Sequence, residues 1–100
     1  MPDTLHVLIH APTPDALRRA RNNAANLLKG EPQAQVEIIA NAAAVAAALA
    51  EPHATDAHLR LCGNTLQNTG AQAPATLQVV PAAIVHLARR QAEGWVYIRA

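Results

Sequence analysis

Strand-like apolar runs alternate with helical ones along the whole of this 100-residue chain, and that alternation leaves few folds open. Leu5-His6-Val7-Leu8-Ile9 reads as a buried strand, and Thr13 followed by Pro14 reads as the cap and first position of a helix. In that helix Leu17, Ala20, Ala24, Leu27 and Leu28 recur on one face before Gly30 and Pro32 end it. Val36-Glu37-Ile38-Ile39-Ala40 is the second strand; Asn41 is placed to cap a helix from Ala42 to Ala50, which Glu51-Pro52 stops. Ala57-His58-Leu59-Arg60-Leu61-Cys62 alternates between faces as a third strand, and Asn64 to Asn68 follows as a short helix closed by Gly70. Leu77-Gln78-Val79-Val80 is the fourth strand. Pro81 then opens a helix with Ile84, Val85, Ala88 and Ala92 on its apolar face, ended by Gly94. Trp95-Val96-Tyr97-Ile98 is the last strand, with both aromatic rings on one face.

Five strands separated by four helices imply parallel strands joined by right-handed crossovers. The expected fold class is therefore α/β, a three-layer α/β/α sandwich on a five-stranded parallel sheet, with residues 1–100 forming a single domain. Composition then bears on what covers it. Hydrophobic residues make up 51% of the chain and charged ones 15%, against about a quarter charged in an ordinary soluble domain. So few charges do not cover a monomer, and alanine-rich faces buried between subunits resolve the shortage. A net charge of +1 gives no electrostatic case for nucleic acid or for an anionic membrane. The longest low-polarity segment, Ala40 to Ala50, falls well short of the roughly 20 residues of a membrane span. Met1 to His6 has no basic leader, and a single cysteine forbids an intrachain disulfide, so a cytoplasmic setting is expected.

That single cysteine, Cys62, is the strongest chemical candidate. It falls in Leu61-Cys62-Gly63-Asn64-Thr65-Leu66, where a strand runs into a helix and backbone N–H groups favour thiolate over thiol. With Asn64 and Thr65 following, rather than large hydrophobes, the sulfur is expected to be partly reachable. Functional groups of an open parallel sheet gather beyond the carboxyl ends of its strands. His10 after the first strand, Asn41 after the second, Cys62 with Gly63, Asn64 and Thr65 after the third, and Pro81 after the fourth all fall on that rim and outline a small pocket. Taken singly, Asn41 and Asn64 also read as helix caps, and Cys62 as a small buried hydrophobe. Other chemistries fit poorly, and no metal site or cofactor is expected. His6 and His10 share a strand face but stand roughly 13 Å apart, too far to share one ion. His53, Asp56 and His58 form only a loose group. The glycines are isolated and make no phosphate cradle, and the carboxylates are scattered, mostly in loops or on solvated faces.

Asn41 after Val36-Glu37-Ile38-Ile39-Ala40, then Cys62-Gly63-Asn64-Thr65-Leu66, Val79-Val80-Pro81 and Arg90-Gln91-Ala92-Glu93-Gly94-Trp95-Val96-Tyr97-Ile98, resemble successive signatures of the DsrE/DsrF-like sulfur-relay superfamily, and of a small, mostly uncharacterised branch of it. The resemblance spans nearly the whole chain. It implies a DsrEFH-like fold with strand order 4-3-2-1-5 and homo-oligomers such as homotrimers or homohexamers. In active members a cysteine holds sulfur as a persulfide, and Cys62 is the residue that matches. Two departures stand out: the family commonly has glycine where this chain has Ala42, and Ser-Gly where it has Ala82-Ala83. Two functions follow as alternatives. One is a cofactor-free sulfur carrier that passes persulfide sulfur between a donor and an acceptor protein or thiol through Cys62. The other is a non-catalytic oligomeric module that binds a small ligand or protein partner at the carboxyl rim, with Cys62 as packing.

Overall fold

The computed structural model describes residues 4–100, so Met1 to Asp3, including the expected absence of a leader there, lie outside the described residues. The elements in order are β1 (His6–Ala11), α1 (Pro14–Gly30), β2 (Gln35–Ala40), α2 (Ala43–Ala50), a 3-10 turn (Ala54–His58), β3 (Leu59–Cys62), α3 (Gly63–Thr69), β4 (Gln78–Val80), α4 (Ala83–Ala92) and β5 (Val96–Arg99). The strands form one parallel sheet in the order β4-β3-β2-β1-β5.

Handedness fixes where the helices lie. From β1 to β4 the chain steps across the sheet in one direction, so right-handed crossovers put α1, α2 and α3 on the same face. From edge strand β4 it returns to the opposite edge, β5, and the same handedness puts α4 on the other face. The two cores follow. Val7, Ile9, Ala11, Val36, Ile38, Ala40, Leu59 and Leu61 pack under α1, α2 and Leu66 of α3; Leu8, Ile39 and Cys62 pack under Ala83 and Leu87 of α4. The sheet residues divide by strict alternation along each strand. Among the described residues no helix is long and apolar enough to cross a membrane.

Local chemistry sets most element ends. Thr13 caps α1 through a hydrogen bond from the Ala16 N–H at 3.0 Å, and Gly70 ends α3 in the left-handed conformation. Four expectations need correction. Asn41 does not cap α2: the helix starts at Ala43 and its cap position, Ala42, makes no side-chain bond. Pro81 is not the first residue of α4, which begins at Ala83 after Ala82. His10 lies inside β1, because that strand continues to Ala11 in pairing with β2. The inward residues of α4 are Ala83 and Leu87, whereas Ile84 and Val85 are 73% and 51% exposed. On that helix Glu37 rather than an apolar stripe selects the inward face, as described next.

Candidate functional site

Cys62 is the last residue of β3 and the residue before α3. Its side chain points to the α4 face, where the Ala83 N–H at the start of α4 donates to Sγ at 3.3 Å. Burial pushes the thiol pKa up. The N–H groups of Ala83, Thr65 and Asn64 and the Thr65 hydroxyl all face the sulfur, outweigh that effect and hold the pKa below the usual thiol value. Thus the expected direction holds, but by a wider set of donors than the short helix after Cys62 alone. Accessibility differs from expectation: Cys62 is 6% exposed, because Ala83 and Leu87 close over it from a helix far along the chain.

Gly63 makes this closure possible. A Cβ there would stand 2.9 Å from the Val80 carbonyl oxygen and 3.0 Å from that of Pro81, so only glycine lets the segment leading into α4 approach β3. Pro81 therefore belongs to the site through its backbone, which leads into the turn that aims the Ala83 N–H.

Thr65 connects the sulfur to the second strand. Its Oγ1 accepts the Ala42 N–H at 3.1 Å while its hydroxyl faces Sγ. Ala42 itself has φ 51° and ψ −136°, a conformation that L-residues avoid. Asn41 and Cys62 each lie one residue beyond the Ala40–Leu61 pair that ends the β2–β3 ladder. Asn41 turns away from α2 because His10 holds it: the His10 Nε2–H donates to Asn41 Oδ1 at 3.0 Å. That fixes the tautomer of a neutral ring and leaves His10 Nδ1 to accept from the Tyr97 hydroxyl at 2.7 Å.

The structure thus gathers Cys62, Gly63, Asn64, Thr65 and Pro81 in one cluster and joins His10 to Asn41 in a second, bridged by the backbone of Ala42. Sequence reasoning missed three participants. Tyr97 left a signal, since it shares a strand face with Trp95 next to the face of His10. Ala83 left none, because it acts through its N–H, and Ala42 left only the departure from glycine noted above.

A buried ion network on the same face was also missed. Glu37, 4% exposed in the middle of β2, accepts from His86 at 2.7 Å and Arg90 at 2.9 Å, with Arg60 at 3.6 Å. Burial pushes its carboxyl pKa up, but hydrogen bonds from His86 and Arg90 prevail and hold it below the usual carboxylate value. Arg90 also lies 4.7 Å from the centroid of the Trp95 ring. An acid inside an apolar strand was the legible signal. Two of the three remaining histidines are engaged locally: His6 Nδ1 lies 3.0 Å from the Thr4 carbonyl, and His53 Nδ1 accepts from the Thr55 N–H. Asp56 pairs with Arg21.

No family model matches the chain, and no curated protein matches it at the significance required. Among solved structures, the chain is similar to one from Methanobacterium thermoautotrophicum described as "Protein of Unknown Function MTH1491". The TM-score is 0.80 at 23% identity, over 96% of this chain and 99% of that one. At that identity the likeness shows the fold.

Proposed function

We propose that the chain is a DsrE/DsrF-like protein that carries sulfur as a persulfide on Cys62. The observation that supports this reading is the convergence of donors from α3 and α4 on a single sulfur, which stabilises the nucleophilic form without a metal or second cysteine. In the loading step the Cys62 thiolate attacks the outer sulfur of a donor persulfide, R–S–SH. A new S–S bond forms at Cys62, the donor S–S bond breaks, and R–S⁻ leaves with the electron pair. An acceptor thiolate then attacks the outer sulfur and regenerates the Cys62 thiolate, so no net oxidant is consumed. The same donors that hold Cys62 as thiolate also make it a good leaving group in that second step. The carrier works as a homotrimer or homohexamer, whose interfaces cover the exposed Ile84 and Val85, and meets donor and acceptor proteins at the carboxyl rim of the sheet.

The low exposure of Cys62 favours one rival, a non-catalytic oligomeric module in which the sulfur is packing and the His10–Asn41–Tyr97 cluster binds a ligand. Polysulfide treatment of the folded protein separates them. The carrier gains about 32 Da at Cys62, the mass of one sulfur, in a form that dithiothreitol reverses and Cys62→Ser abolishes. A folded protein that takes up no sulfur and leaves Cys62 unlabelled by iodoacetamide at about pH 8, near the ordinary thiol pKa, is the module.

A further inference from the structure

Edge strand β5 is exposed along its whole length, Val96 to Arg99, and its outer side pairs with nothing among the described residues. Folded proteins commonly blunt such an edge with a bulge, a proline or a lysine. None is present in β5, whose register with β1 runs unbroken from Val7–Val96 to His10–Arg99. Its rings do not shield it either: Tyr97 leans over β1 to reach His10 at 2.7 Å, and Trp95 packs edge-on against His6. We propose that β5 pairs antiparallel with β5 of a second copy across a two-fold axis at Tyr97, a contact separate from Cys62 and from the α4 surface.

The backbone fixes which residues pair. The Ala100 N–H donates to the His10 carbonyl at 2.9 Å, so by alternation Val96 and Ile98 also turn their N–H and C=O to β1, and Tyr97 and Arg99 turn theirs outward. The trans peptide before Val96 points the Trp95 carbonyl outward as well, while the Trp95 N–H is held by the Arg90 carbonyl at 3.0 Å. With the axis at Tyr97, the two Tyr97 residues exchange N–H···O bonds in both directions. Each Arg99 N–H then reaches the other copy's Trp95 carbonyl, and no group already engaged is called on.

Side chains select this axis over its neighbours. At Tyr97 each Val96 lies opposite the other copy's Ile98, so residues 50% and 45% exposed in one chain cover each other. The Arg99 guanidiniums, the only charges on the strand, stay roughly 13 Å apart along it. An axis at Ile98 sets Val96 against Ala100 and brings the cations closer. An axis at Val96 needs the Trp95 N–H that Arg90 occupies, and one at Arg99 sets the cations face to face. An edge this short falls far below the roughly 800 Å² per partner of a stable interface, so alone the pairing dissociates at micromolar concentration. In copies already joined as a trimer through α4, a step that rests on the assembly proposed above, several edges act together and join two trimers as the hexamer.

The test uses Ile84→Asp, an exposed position whose change removes the α4 contact and leaves the β5 edge intact. Between about 20 μM and about 1 mM protein, hydrogen exchange at the Tyr97 amide slows ~2-fold or more. In a mixture of labelled and unlabelled copies, NOEs link Val96 Hα of one copy to Ile98 Hα of another, the short contact of a non-hydrogen-bonded antiparallel pair. Arg99→Pro removes an outward N–H and no bond to β1, Val96→Lys touches no backbone bond, and each abolishes the slowing and the NOE. In the native hexamer Arg99→Pro halves the sedimenting mass. The proposal is overturned by exchange at Tyr97 that does not depend on concentration, by slowing that survives both variants, or by slowing without the Val96–Ile98 NOE. Failure of the α4 contact is read separately, as a native protein that sediments as a monomer.

Discussion

Ala42 holds its backbone at φ 51°, where a Cβ is strained and glycine is at ease, because the Thr65 hydroxyl fixes its N–H and His10 fixes the preceding side chain. Relief of that strain exceeds the extra unfolded-state entropy of glycine, so Ala42→Gly should stabilise the protein by about 1 kcal/mol in urea unfolding. The converse holds at Gly63. Its Cβ would press on two carbonyl oxygens, so Gly63→Ala should cost about 1–3 kcal/mol in urea unfolding. Cys62 itself predicts a pH dependence. Its folded pKa is depressed, so the donor bonds stabilise the fold fully above the unfolded thiol pKa of about 8.5 and lose that contribution as pH falls through the folded pKa. Stability measured from about pH 6 to 9 should therefore rise in the native protein relative to Cys62→Ser. Thr65→Val, which removes one donor, should shift the alkylation profile to higher pH, and an unshifted profile would mean that the hydroxyl does not act on the sulfur.

At the scale of elements, α4 is the piece whose placement matters most, because it brings one donor to Cys62 and closes over the sulfur. It is held less by apolar area than by Glu37, since only Ala83 and Leu87 of the helix are buried hydrophobics. Glu37→Gln leaves His86 and Arg90 without their carboxylate beneath the helix, and should cost about 2–3 kcal/mol, less than a fully buried pair because Arg90 is partly exposed and can turn to water. Its folded pKa is depressed, so the ion network contributes fully above the unfolded carboxylate value of about 4.3 and is lost as pH falls through the folded value. Acid titration should release α4 early, read as faster Cys62 labelling relative to the chemistry of a free thiol at the same pH. Helix α2 shows the opposite economy. Every residue from Ala43 to Ala50 is Ala, Val or Leu, so it has no polar outer face, and small side chains let it lie close to the sheet and to α1.

At the scale of the molecule, the surface retains apolar residues that the two cores do not use. Ile84 and Val85 lie on α4, Val79 on edge strand β4, and Val96 and Ile98 on edge strand β5, all at least 45% exposed. A 15% charged chain has little to cover them with. Association of copies through the α4 surface should make sedimentation at micromolar concentration report a species heavier than 10.5 kDa, and Ile84→Asp should return it to the monomer mass without loss of helical signal. A native protein that sediments as a monomer would leave the composition unexplained and remove the assembly.

The alternation of element types was enough to specify parallel strands and two helical layers, because connection length and handedness leave a chain of this pattern almost no other arrangement. Thr13 and Gly70 were legible for the same reason: their effects act within one turn of their own position. Cys62 was legible as the candidate nucleophile, since its place at a strand end is a local property. Tertiary structure decided the rest. Asn41 could not be known to abandon its helix for His10, nor Tyr97 to join them, because those bonds link strands separated by 31 and 87 positions in the chain. The face of α4 could not be read from its own apolar residues, since Glu37 on a distant strand, an anion that needs cations, turns His86 and Arg90 inward and leaves Ile84 outside. The environment of the sulfur followed from that choice: the helix that Glu37 orients also supplies the Ala83 N–H and the cover that makes Cys62 both more acidic and less exposed than its own segment specifies.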